Sequence, residues 1–222
     1  METRIWLIDF SDTLVTGSKT WAFEYVFPQL IRENNLPFDE QSFKKITLAA
    51  QQKANETQND AAVLNEMFTR LSWPDYLKAE LTRRVFDLYE PQLFDDTIPF
   101  LERLKQADQR LIIVSNTRNA PEMAQRLGID KYFDHILTSA MCDNAAPKPD
   151  IALWTCLKHR LSLPDRSLLE SAIVIGDDPW SDGTFATRCG LLCWIVDRNE
   201  RMVSLRQQIS VKWAHSLLEI RV

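Results

Sequence analysis

The sequence predicts an α/β fold, a parallel sheet with helices on both faces, into which an all-helical bundle is inserted. Three observations carry that expectation. Ile5-Trp6-Leu7-Ile8, Leu111-Ile112-Ile113-Val114 and Ala172-Ile173-Val174-Ile175 are short apolar runs that each give way to small polar or acidic residues, as strands buried on both faces do. After Pro91 such runs alternate with segments of helical period, and alternation of this kind favours a parallel sheet covered by helices. Between Gly17 and Glu90 no run reads as a strand, whereas apolar residues recur at helical spacing.

In chain order, the first strand ends at Ile8 and delivers Asp9. Trp21, Tyr25, Leu30 and Ile31 then share one face of a helix, Phe43, Ile46 and Leu48 lie on a second, and Val63, Met67, Phe68 and Leu71 on a third. Pro74 suits the first turn of a fourth helix, which Leu77, Leu81, Val85 and Leu88 continue. The alternation after Pro91 gives a helix over 97–106, a strand over 111–114, a helix over 121–127 and a short strand at Ile136 and Leu137. It continues with a helix over 150–161, a strand over 172–175, a helix over 182–189 and a strand over 191–196. In the tail, Trp213, Leu217, Leu218 and Ile220 are expected to pack back on the sheet. The expected division is therefore a core of residues 1–16 and 91–222, with a bundle of residues 17–90 inserted after the first strand.

With 222 residues, 45% hydrophobic and 10% aromatic, the chain can bury a real core. A net charge of −5 argues against a general nucleic-acid surface, because phosphate backbones reward clustered Lys and Arg. Small polar or phosphorylated molecules are the expected partners. No leader and no apolar run of membrane-spanning length are visible, so a cytoplasmic protein without membrane association is expected. Cys142, Cys156, Cys189 and Cys193 lack the paired spacing of a zinc site or a disulfide framework and are read as reduced, mostly buried thiols. His135, His159 and His215 have no motif around them and are assigned to surface or packing roles.

If the three long apolar strands are parallel neighbours, Asp9, Ser115, Asp177, Asp178 and Asp182 meet at one rim of one sheet, just past the strands' carboxyl ends where chemistry gathers. Carboxylates crowded there repel one another and need a cation. Lys148, in the loop-like Asn144-Ala145-Ala146-Pro147-Lys148-Pro149, supplies part of that charge, and a hard divalent metal the rest.

These segments, in this order, resemble the haloacid dehalogenase superfamily of phosphatases and related hydrolases. Asp9, Thr13 and Leu14 match the first motif, Ser115 the second, Lys148 with Pro149 the third, and Gly176-Asp177-Asp178 with Asp182 the fourth. The resemblance covers residues 5–196. It implies a Rossmann-like core, a helical cap that closes over substrate and sets specificity, and an aspartyl-phosphate formed on Asp9. It also implies Mg²⁺ held by Asp9, the backbone carbonyl of Ser11 and Asp177, with Asp178 or Asp182 nearby. Donors at Ser115, Asn116 and Lys148 would bind the phosphoryl group.

Ser11 departs from the pattern, since the family's acid–base Asp stands there. That departure leaves several readings open: a substrate whose leaving group needs no proton, an acid taken from Lys19, Glu24 or the substrate, a catalytically weak binding module, or a relative cleaving carbon–phosphorus or carbon–halogen bonds through Asp9. Asp12 is acidic but one residue out of register. Trp21, Phe23, Tyr25 and Phe27 are expected in the bundle core rather than as substrate contacts.

Overall fold

The computed structural model describes residues 3–57, 60–142, 146–161 and 171–221, with the side chains of 51–64, Phe86 and Leu161 also outside the description. The expected packing of Val63, the loop positions Asn144 and Ala145 and the extreme ends of the expected core lie outside it. The chain divides into two compact units, one of residues up to Val15 together with those from Gln92 onward, the other of Thr16–Pro91.

The first unit is built on a six-stranded sheet in the order β3-β2-β1-β4-β5-β6. Its strands are β1 (Ile5–Ile8), β2 (Arg110–Ser115), β3 (His135–Thr138), β4 (Ile173–Gly176), β5 (Leu192–Val196) and β6 (Lys212–Ala214). Every pairing is parallel. Strand order runs outward in both directions from the β1–β4 pair, so the topological switch point, where an open α/β sheet leaves a crevice past its carboxyl ends, falls beside Asp9.

Alternation along the strands divides the core between two faces. Ile5 and Leu7 share one buried cluster with Ile112, Val174, Leu153 and Leu157 of the helix Ala152–Leu161, and Phe185 of the helix Thr184–Cys189. Trp6 points the other way, its ring edge-on to Phe100 of the helix Thr97–Gln106 at 6.3 Å. Helices therefore cover both faces, and β1 is buried along its whole length, which is why it reads as an unbroken apolar run.

Several expectations are corrected here. The tail does return to the sheet, but by adding β6, an edge strand of Lys212, Trp213 and Ala214 too short and mixed to register as a run. Leu217 and Ile220 are buried there, while Leu218 is exposed. Nor are the four cysteines all reduced: Cys142 and Cys156 form a disulfide, leaving Cys189 and Cys193 as free thiols. The partners lie 14 residues apart, across a segment whose fold, not its spacing, brings them together.

The Thr16–Pro91 unit is helical. Ser18–Trp21 runs through a π turn, Ala22–Val26, into Phe27–Asn34, followed by Glu40–Thr57, Asp60–Leu71 and Tyr76–Thr82, which ends in a second π turn, Arg83–Asp87. Phe23, Phe27, Leu30, Met67, Trp73, Leu77, Leu81 and Val85 form its core. The π turns add residues to the helical repeat, and they carry Tyr25 and Leu88, both expected inside, to the surface, where each is about half exposed (48% and 50%). Tyr25 stacks on Trp21 with ring centroids 5.0 Å apart. Pro74 precedes the N-cap Asp75 instead of occupying the first turn. Among the described residues no helix is long and apolar enough to cross a membrane.

One polar anchor ties distant parts of the first unit together. Asp96, at the N-terminus of the helix Thr97–Gln106, accepts hydrogen bonds from Arg198 Nη1 (2.5 Å), Ser216 Oγ (2.7 Å) and the Leu217 N–H (2.8 Å). Arg198 also donates to the Thr13 carbonyl at 2.8 Å and lies over the Phe94 ring. Burial alone would raise the Asp96 carboxyl, but these donors and the guanidinium outweigh it and hold it below the ordinary 3.8. A carboxylate held low in the folded state stabilises the fold above its unfolded pKa, and that contribution is lost as pH falls through the lower folded value. Asp96→Asn should therefore lower the unfolding free energy at pH 7 by about 2 kcal/mol. In urea titrations the gap to the parent should narrow as the pH is taken well below 4; a gap independent of pH would contradict the assignment.

Candidate active site

Asp9 is placed by the sheet. Its N–H donates to the Ile175 carbonyl at 2.8 Å, extending the β1–β4 ladder one residue past the strand. Beyond it the chain turns sharply, with the Leu14 and Val15 N–H groups both donating to the Phe10 carbonyl and Asp12 in the left-handed region at φ 61°. Asp and Asn tolerate that conformation better than most residues, which explains an Asp at this step without a chemical role.

Lys148 is 4% exposed and its three N–H donors are all placed: on Asp9 Oδ1 at 2.7 Å, on Asp182 Oδ1 at 2.6 Å and on the Val114 carbonyl at 2.8 Å. Its backbone is gripped by Asn116, whose Oδ1 accepts from the Lys148 N–H at 2.7 Å and whose Nδ2 donates to the Lys148 carbonyl at 3.2 Å. Ser181 Oγ donates to the same carbonyl at 3.5 Å. Asn116, expected at a phosphoryl group, thus commits its side chain to holding the lysine.

The acidic residues after β4 divide their work. Asp178 Oδ1 caps the helical turn Pro179–Gly183, accepting from Trp180 N–H at 2.9 Å and Ser181 N–H at 3.2 Å. Asp182 returns from that turn to Lys148, with its second oxygen accepting from the Asp178 N–H at 3.2 Å. Gly176 makes the return possible: a Cβ there would lie 2.1 Å from Asp182 Cγ. Asp9, Asp177 and Asp182 are all buried, and each offers an oxygen within 4.8 Å of the others'. Three carboxylates against one ammonium leave negative charge in excess. Burial accordingly raises Asp182 to about 6, and raises Asp9 as well, with Lys148 opposing both shifts. For Lys148, burial works against the ammonium, but Asp182 and Asp9 overcome it and hold its pKa above the ordinary lysine value.

The remaining expected residues fall at the same rim. Ser115 ends β2 fully buried and its Oγ accepts from the Thr117 N–H at 3.2 Å. Ser11 Oγ and Thr117 Oγ1 form a hydroxyl pair at 2.8 Å. In the sequence Thr117 reads only as the end of the polar run Ser115-Asn116-Thr117, with no role of its own. Arg198 and Asp96 fix the Thr13 carbonyl from far along the chain and leave no local pattern.

The donor set consists of oxygens only, buried and in anionic excess, and so fits a hard divalent cation. The buried ammonium beside it can offset the charge of an anion brought to the rim without giving up its partners.

A family model for haloacid dehalogenase-like hydrolases matches residues 3–190. Among solved structures, a HAD family hydrolase from Deinococcus radiodurans R1 with bound phosphate and sodium is 18% identical, covering 99% of this chain and 93% of its own, with a TM-score of 0.72. The HAD-hydrolase YfnB from Bacillus subtilis, bound to magnesium, is 20% identical over 99% and 97%, with a TM-score of 0.67. A dehalogenase is 17% identical over 98% and 95%, with a TM-score of 0.65. At these identities the likenesses speak to the fold. No curated protein matches the chain.

Because its Cβ would collide with the Asp182 carboxylate, Gly176→Ala should displace Asp182 from Lys148. The expected cost is about 1–3 kcal/mol of stability and roughly 100-fold in turnover, typical of a site misplaced by an ångström. Urea melts and initial rates check both; an unchanged rate would show that Asp182 need not sit where it does.

Proposed function

The chain belongs to the haloacid dehalogenase-like hydrolases, and we propose that its own reaction is transfer of a phosphoryl group from a small phosphorylated molecule to Asp9, followed by hydrolysis of the aspartyl-phosphate. The observation that carries this reading is the buried ammonium of Lys148 between Asp9 and Asp182, with Asp177 beside them at the switch point of the sheet.

Asp9 projects from the end of a rigid, fully buried strand, which suits a nucleophile that must be held in line with phosphorus. Lys148 orients the Asp9 carboxylate through Oδ1, leaving Oδ2 to attack, and its charge offsets the repulsion between two approaching anions. Asn116 keeps the lysine in place through its backbone. The Ser115 hydroxyl, at the end of β2, is the group assigned to a phosphoryl oxygen.

Asp9 and Asp177, with the Ser11 backbone carbonyl, would hold Mg²⁺, while Asp182 serves Lys148 and Asp178 serves the helix cap. When bound, the ion supplies positive charge against the phosphoryl oxygens. A carbon–halogen hydrolase, the reading that the dehalogenase neighbour raises, would also use Asp9. Asp182 would serve Lys148 in either reaction, so it is the third carboxylate, Asp177, with its use as a cation ligand, that favours phosphoryl transfer.

Phosphate release from a panel of phosphorylated compounds should require Mg²⁺, stop with chelator and fall at least 1,000-fold in Asp9→Asn. Release that survives the substitution would assign the chemistry to another group.

A further inference from the structure

Resting on the proposed phosphoryl transfer to Asp9, we infer that the site is built for acyl phosphates, donors whose leaving group departs as a stable carboxylate and needs no proton. The inference comes from the hydrogen bonds that the side chains around Asp9 already make. Two residues past the nucleophile, the Ser11 hydroxyl is engaged with the Thr117 hydroxyl at 2.8 Å. Neither group titrates near neutral pH, and a general acid works best when its pKa lies near the operating pH.

The other candidates in the same unit are committed. Lys148 has no N–H to spare, since all three are on Asp9, Asp182 and Val114. Asp178 is taken up by the Trp180 and Ser181 N–H groups, and Asp182 by Lys148 and the Asp178 N–H. Asp177 stands in the anionic trio. Asp12 is buried in the left-handed turn and has an interaction of its own. Each of the groups just named is thus held by a partner or by the acidic trio, and the residue two positions past Asp9 is an alcohol paired with an alcohol.

The steps balance without a general acid. The Asp9 carboxylate attacks phosphorus; the bond from phosphorus to the acyl oxygen breaks, and its electron pair leaves with the carboxylate. Water then attacks the aspartyl-phosphate, Asp9 departs as carboxylate, and both hydrogens of the water leave with the product as H₂PO₄⁻. An alkyl phosphate would instead expel an alkoxide, and for want of general acid help its turnover should be about 10²- to 10⁴-fold slower.

The test compares kcat/KM for acetyl phosphate, aryl phosphates of graded leaving ability and an alkyl monophosphate, in the parent, Ser11→Asp and Asp9→Asn. The expected result is a steep dependence on leaving group in the parent, with acetyl phosphate at least 100-fold faster than the alkyl ester. Ser11→Asp should flatten it, raising the ratio of the alkyl rate to the acetyl phosphate rate 10-fold or more. Equal rates on acetyl and alkyl phosphates in the parent would overturn the inference while leaving phosphoryl transfer intact, and would show that a group outside this unit supplies the proton. Release from no donor above the Asp9→Asn level would overturn the transfer reading and this inference with it. The parent series alone is sufficient if Ser11→Asp fails to fold.

Discussion

Everything at the rim of the sheet depends on one buried ammonium. Lys148 is held by Asp9, Asp182 and the Val114 carbonyl, and without it three buried carboxylates would face one another across less than 5 Å. Desolvating an ion without a partner costs several kcal/mol, so Asp9, Lys148 and the acidic turn form a set in which no member is stable alone. The excess of negative charge that remains is what suits the set to a divalent cation and to the charge developed on a transferring phosphoryl group.

The rest of the unit keeps that set in register. Parallel pairing on both sides of β1 fixes Asp9 at the switch point. Asn116 reads both backbone polar groups of Lys148 and so links the end of β2 to the lysine's loop. Gly176 gives Asp182 room to fold back. Arg198, itself pinned by Asp96, holds the Thr13 carbonyl and with it the turn that follows Asp9. The pairings of β1 and the contacts of Arg198 join residues more than a hundred positions apart, so the arrangement of a few side chains rests on the closure of the whole sheet.

Much of this was legible in the sequence because fully buried strands leave no ambiguity. Ile5–Ile8, Leu111–Val114 and Ile173–Ile175 are apolar throughout, and the polar residues that end them are the ones that meet. What escaped reading has physical causes. β6 is a three-residue edge strand with a lysine and no run. Tyr25 and Leu88 fit a 3.6-residue stripe, but π turns in both helices shift the phase. The Cys142–Cys156 bond joins residues 14 apart, a spacing that signals no pairing. Asn116 was expected at a phosphoryl group and Asp178, by resemblance, near a metal; that their side chains hydrogen-bond to the Lys148 backbone and to a helical turn is marked by no sequence pattern. Ser11 could be seen to depart from the family pattern, but its Thr117 partner could not.

The central claim is that Asp9 becomes covalently phosphorylated. Acid quenching of the enzyme during turnover with Mg²⁺ and acetyl phosphate, followed by peptide mass spectrometry, tests it directly. The account predicts one added phosphoryl group on the peptide containing Asp9, absent from Asp9→Asn. Phosphate release without any adduct, or an adduct on a different residue, would contradict it.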